Sequence, residues 1–173
     1  MRKNPLRKKP GDNFPLEELE KIIKPSDKLC LWSKPVDRKD ITVARFELSD
    51  RPKPSGVWYG CGLSWIDWIS SEMPNWLYNH LYRITFDTRS MYKISTDKDL
   101  DKFTQKYDVR GTGRSIHWAY VGAAGYGGIE ICPYIASRRY SKGASWYGGW
   151  DVASGCIWDT SIITSVTEVI LDG

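Results

Sequence analysis

At 173 residues, 41% apolar and 27% charged, the chain has the size of one folded domain and too much apolar content for disorder as its main state. The formal net charge of +4 is concentrated: residues 1–9 carry five Lys or Arg and no acid, and removing them leaves −1, so the body is not read as a nucleic-acid-binding surface. No run of eighteen apolar residues predicts a transmembrane helix, and no apolar block follows the basic start to make a secretory signal.

Residues 1–10 read as a basic flexible tail, able to make a weak contact to nucleic acid and dispensable for folding. Residues 11–173 read as a single domain. Asn13 is a candidate cap for a helix over residues 15–24, with Leu16, Leu19, Ile22 and Ile23 on one face and Pro25 at its end. Residues 28–33 alternate as a short strand. Residues 41–48 (ITVARFEL) predict a stronger one, with Ile41, Val43 and Arg45 on one side. After a proline-broken connection, residues 56–61 predict an aromatic strand, and residues 63–72 a helix with Leu63, Ile66 and Ile69 at helical spacing and Ser64 as cap.

Residues 81–86 and 91–94 read as strands paired around Asp87-Thr88. Thr96, Asp97 and Asp99 open a helix that reaches Tyr107. A further helix is expected over 115–124, a strand over 128–131, a long loop over 133–149, and strands over 155–159 and 164–171. The sum is an α+β domain, a mostly antiparallel split sheet with short helices.

Cys30, Cys61, Cys132 and Cys156 show no CxxC spacing, and His80 and His117 no ligand-like spacing, so no zinc site is expected. Without a secretory signal, four reduced thiols and no structural disulfide are expected, in a cytoplasmic protein. The sequence also lacks GxSxG, GxGxxG and P-loop patterns. It is instead rich in aromatics, with nine Trp, ten Tyr and four Phe. Many sit beside glycine, as in Gly56-Val57-Trp58-Tyr59-Gly60 and Trp146-Tyr147-Gly148-Gly149-Trp150. Such segments can form a slot for a flat ring: nicotinamide, adenine or a sugar. Long loops in compact domains are often functional. Asp151, at the end of the 133–149 loop and beside Trp150, is therefore a candidate catalytic or orienting carboxylate.

The blocks at Lys53–Trp58, Trp65–Trp68, Gly127–Ile131 and Trp146–Trp158 resemble an uncharacterised family of phage-encoded proteins. Their layout is similar to the ADP-ribosyltransferase-like fold, including phage anti-CRISPR ADP-ribosyltransferases. The resemblance implies NAD as cofactor and transfer of ADP-ribose to a host protein or nucleic acid in the host cytoplasm. Arg45 matches the family's early-strand basic residue. Trp58 and Tyr59, followed by Ser64, match its second element, and Asp151 its late acid, with Glu130 a competing candidate. Tyr147 and Trp150 join Trp58 and Tyr59 as the aromatics that would fix the nicotinamide plane. A carboxylate near the ribose carbon would stabilise the cation that develops as nicotinamide leaves. On this reading Arg45, Trp58 and Asp151 converge on one pocket. The alternative is a catalytically silent inhibitor or virion component that binds through an aromatic surface.

Overall fold

The computed structural model describes residues 16–74 and 80–170. The basic tail and the Asn13 cap lie outside the described residues. Seven strands join in one sheet: β1 (Lys28–Trp32), β3 (Val57–Cys61), β4 (His80–Phe86), β5 (Met91–Ile94), β7 (Gly128–Ile131), β8 (Ser154–Ile157) and β9 (Ile163–Glu168). Their order is β5-β7-β8-β3-β1-β4-β9, and β2 (Asp50–Arg51) pairs with β6 (Ile116–His117) in a separate ribbon. Only β5–β7 is parallel among these pairs. The helices are α1 (Leu16–Ile22), α2 (Arg38–Thr42), α3 (Ser64–Glu72), α4 (Asp97–Tyr107) and α5 (Trp118–Ala123). The expected α+β class with a mostly antiparallel sheet is what the chain adopts.

Connectivity forces this sheet to curl. β4 and β5 are five inter-strand steps apart, about 24 Å if the sheet were flat. Yet only residues 87–90 join them, a link that spans at most about 18 Å. The strands therefore bend until the two regions approach, and Met91 of β5 and Ile84 of β4 share one buried cluster with Cys30, Tyr59, Ile157 and Ile163. That cluster fills the concave face. Side-chain alternation sends the other residues to the convex face, where two clusters form. One gathers Ile94, Ile129 and Cys156 beneath Phe103, Trp118 and Trp146. The other gathers Leu29 and Leu81 beneath Leu19 of α1 and Ile66 and Ile69 of α3.

Several local expectations are corrected. Residues 41–48 form no strand. Asp37 and Asp40 make a reciprocal capping box that starts α2, and the chain then runs irregularly. The Thr42 and Ala44 carbonyls accept from the Thr160 hydroxyl, at 3.2 Å each, instead of from a neighbouring strand. β4 and β5 both exist but do not pair with each other. Asp87 caps a single 3-10 turn, Thr88–Ser90, that redirects the chain. The helix expected from residue 115 begins at Trp118, after the short β6.

The 133–149 segment is not a structureless loop. It contains two 3-10 segments, Ala136–Arg138 and Lys142–Gly149, and buries Trp146 and Tyr147 completely. Arg138 fastens it to α4 through two parallel hydrogen bonds to Asp101, at 2.8 and 2.9 Å. The bonded guanidinium lowers the Asp101 carboxyl below its ordinary value of 3.8. A lowered folded-state value stabilises the fold above the ordinary aspartate range, and the stabilisation is lost as pH falls through the lowered value. Because the Asp101 side chain is 45% exposed, the gain is discounted to under about 1 kcal/mol. Asp101→Asn is expected to be less stable than the parent at pH 7. Denaturant titrations of the two should converge in acid as pH falls through the lowered Asp101 value, and a gap that stays the same from pH 7 into that acid range refutes the assignment.

Candidate functional site

The seam between the two convex clusters is an open cleft of about 610 Å³. Trp58 and Trp150 belong to one side, where Trp58 packs against the first cluster and Trp150 is part of it. Leu31, Trp65 and Trp68 belong to the other, packed against the second cluster. Trp32, Ser33, Lys53, Asp151, Val152 and Ser154 complete the lining.

Local structure explains each wall. Trp58 and Ser154 share the convex face because their strands pair with Trp58 opposite Cys156 and Gly60 opposite Ser154. Trp65 and Trp68 are three residues apart on α3 and so lie on one helix face. Gly60 permits the close approach of that helix: a side chain there would place its Cβ 2.6 Å from the Trp65 Cβ. The Ser64 hydroxyl then fastens the helix start to the Ala153 carbonyl at 2.7 Å.

Trp150 is 1% exposed and meets Trp58 edge-on with ring centroids 4.9 Å apart. Its indole Nε1–H is buried and has no acceptor among the described residues. The Lys53 ammonium lies 5.7 Å from the centroid of the Trp58 ring, and no carboxylate among the described residues pairs with it. Asp151 is already matched, since Arg139 donates to its carboxylate at 3.2 Å. The cleft thus offers large indole faces, two hydroxyls, one compensated carboxylate and one uncompensated cation.

Of the residues singled out from sequence, Trp58, Trp150 and Asp151 come together here. Arg45 does not line the cleft. It is exposed on the chain after α2, where its guanidinium donates to the Thr42 and Ala44 carbonyls. Tyr59 and Glu130 meet on the concave side of the sheet. The Tyr59 hydroxyl donates to the Glu130 carboxylate at 2.7 Å, and Lys28 pairs with the same carboxylate at 2.8 Å. Burial, then the nearby Glu130 charge, pushes the Tyr59 phenol well above its ordinary value. Ser64 acts at the α3 start, outside the lining. Tyr147 is core, its hydroxyl accepting from the Ile135 N–H at 2.9 Å. The lining residues that sequence reasoning did not single out as site residues include Lys53, Trp65, Trp68, Trp32, Ser33 and Ser154. The i, i+3 tryptophans of α3 were the signal that could have found the second wall.

The cysteines overturn the expectation of four free thiols. Cys61, at the end of β3, and Cys132, just after β7, form a disulfide, while Cys30 and Cys156 are free and buried. The reason lies in the register. β8 separates β3 from β7, and both cysteines stand on the concave face beside its first residues. Burial pushes both free thiols up from their ordinary values, so neither is a reactive thiolate. Cys61 Sγ, Cys132 Sγ and a Glu130 oxygen lie within 4.8 Å of one another. The sulfurs are bonded to each other and Lys28 neutralises the carboxylate, so the group offers no thiolate pair to a metal. No helix among the described residues is long and apolar enough to cross a membrane. No family model, curated protein or solved structure matches the chain.

Proposed function

We propose that the seam cleft is a ring-binding site and that the chain acts as a binding protein. One observation carries this reading: Trp58, Trp65 and Trp68 stay only partly buried around the cleft. Each indole has up to about 250 Å² to hide, and a chain folding for stability alone would seal them into the adjoining clusters. Its volume falls within the usual range for small-ligand sites, and it combines apolar walls with a few polar groups. Titration with a panel of oligosaccharides, adenosine monophosphate and NAD, followed by intrinsic tryptophan fluorescence, tests it. Trp65→Ala should weaken the active ligand at least about tenfold, as loss of an aromatic hot spot does, with circular dichroism showing the fold retained. Silence of the whole panel in the parent protein argues against the site.

NAD-dependent ADP-ribosyl transfer to a host macromolecule remains the second reading, because Trp58, Trp150 and Asp151 share the cleft. On that reading Asp151 would stabilise the positive ribose carbon, and Asp151→Asn would cut transfer about a hundredfold. Labelled NAD incubated with a host lysate measures it directly. The binding reading is preferred because the Lys53 ammonium would oppose a cationic nicotinamide ring in the same space. Disulfides persist in oxidising surroundings, so the Cys61–Cys132 bond favours action there over the cytoplasmic placement expected from sequence.

A further inference from the structure

One cation in the cleft has no protein acceptor among the described residues. The Lys53 ammonium has no carboxylate partner among the described residues, and its stem is held between the Trp58 ring and Gly149, whose added Cβ would lie 3.2 Å from Lys53 Cε. The Trp150 indole N–H, by contrast, is closed to solvent and has no acceptor among the described residues, so the charge of the cleft rests on Lys53. With no protein anion among the described residues beside it, the Lys53 ammonium is free to make a charge-assisted hydrogen bond to an anionic group that enters the cleft. The one carboxylate of the lining, Asp151, already has Arg139, so the net charge offered to a ligand is positive. An aromatic cage for a quaternary ammonium needs the opposite balance.

We propose that the cleft binds a carboxylated pyranose, a uronic- or sialic-acid unit of a glycan, with its C–H face on an indole and its carboxylate directed to Lys53. This rests on reading the cleft as a ring-binding site. The carbon-bound hydrogens of a pyranose make one face of the ring apolar, which suits the indole walls. Its hydroxyls match the Asp151 carboxylate, which accepts, and the exposed Ser33 hydroxyl, which can do either. A nucleobase would want an amide or backbone edge to read its own donors and acceptors, and a phosphate a glycine-rich cradle of N–H groups. The lining has no Asn, Gln or glycine.

The experiment titrates the full-length oxidised protein by calorimetry and tryptophan fluorescence. The probes are a hyaluronan tetrasaccharide and sialyllactose, each beside its carboxyl-reduced counterpart, with adenosine monophosphate as the competing chemistry. At least one acidic glycan should bind tenfold or more tighter than its reduced form, with affinity falling as salt rises. Lys53→Met keeps an apolar stem over Trp58 and removes the charge; it should erase that tenfold difference, bringing the acidic and reduced forms to one affinity. Equal binding of acidic and reduced forms overturns the acidic class and leaves the ring-binding reading standing. Binding of adenosine monophosphate in place of either glycan overturns the sugar. No fluorescence or heat response to any probe removes both the proposal and the ring-binding reading beneath it.

Discussion

Trp146→Ala is expected to destabilise the protein by about 3–5 kcal/mol, lowering the melting temperature by about 10 °C. The indole is fully buried. It contacts the rings of Phe103, Trp118, Tyr147 and Trp150 at centroid distances of 5.5 to 6.1 Å. Its Nε1–H donates to the Thr104 hydroxyl at 2.9 Å, and that hydroxyl donates onward to the Leu100 carbonyl inside α4. Truncation removes the ring on which the others lean and leaves a hole that neighbouring aromatics cannot fill without leaving their rotamers. Trp146→Phe retains most of the volume and loses chiefly one hydrogen bond, worth about 1 kcal/mol. Thermal unfolding of the three proteins orders them parent, Phe, Ala. A loss under about 2 °C for the Ala variant contradicts the placement of Trp146 at the centre of the convex core. The same change should disturb the cleft, because Trp150 packs edge-on against Trp146 on one side and lines the cleft on the other.

Removing the Cys61–Cys132 bond is the second large effect. The bond closes a loop with a sequence separation of 71, and the chain-entropy account of such a loop gives about 4 kcal/mol. It also ties down the floor of the cleft. The Cys61 N–H donates to the Ala153 carbonyl at 3.0 Å, and Ala153 sits between Val152 and Ser154, both of which line the cleft on the opposite side of the sheet. The double change Cys61→Ala with Cys132→Ala should therefore lower the denaturant midpoint and also weaken ligand binding. Peptide mapping of the unreduced protein should find these two cysteines joined and Cys30 and Cys156 alkylated only after unfolding. Four alkylated thiols in the unfolded, unreduced protein would refute the bond. An unchanged midpoint in the double variant would refute its contribution to stability.

Much of the local structure was legible in the residues. Thr96 and Asp99 announce α4 because a hydroxyl and a carboxylate three residues apart satisfy each other's backbone N–H groups. Residues 28–32 and 57–61 show the strand signature, and the pairing of β1 with β3 and β3 with β8 puts it to use. The aromatic-glycine segments pointed to Trp58, Trp150 and Asp151, and these do share one cleft. Where the reading failed at residues 41–48, β-branched residues outweighed a cap signal that was present: Asp37 and Asp40 make the same reciprocal pair as Thr96 and Asp99. The apolar Ile41 and Phe46 of that stretch pack on the concave cluster without needing a strand to carry them.

By itself, then, the sequence determined which segments could be helix or strand, the α+β class, and the presence of aromatic surface to spare, because capping, alternation and composition act over a few residues. Tertiary structure alone decided who pairs with whom. β4 could have folded back on β5 across four residues; instead it lies between β1 and β9, and β5 pairs in parallel with β7. Local spacing carries no information about such partners, since the choice is made by burying both faces of one curled sheet at once. That choice sends Glu130 and Tyr59 to the concave side and Trp58 to the convex side, and leaves Arg45 outside the cleft. It also brings Cys61 and Cys132 together across β8 and opens the seam where Lys53 meets Trp58. One residue of strand register separates a side chain in the cleft from one on the opposite face, and only the assembled sheet fixes that register.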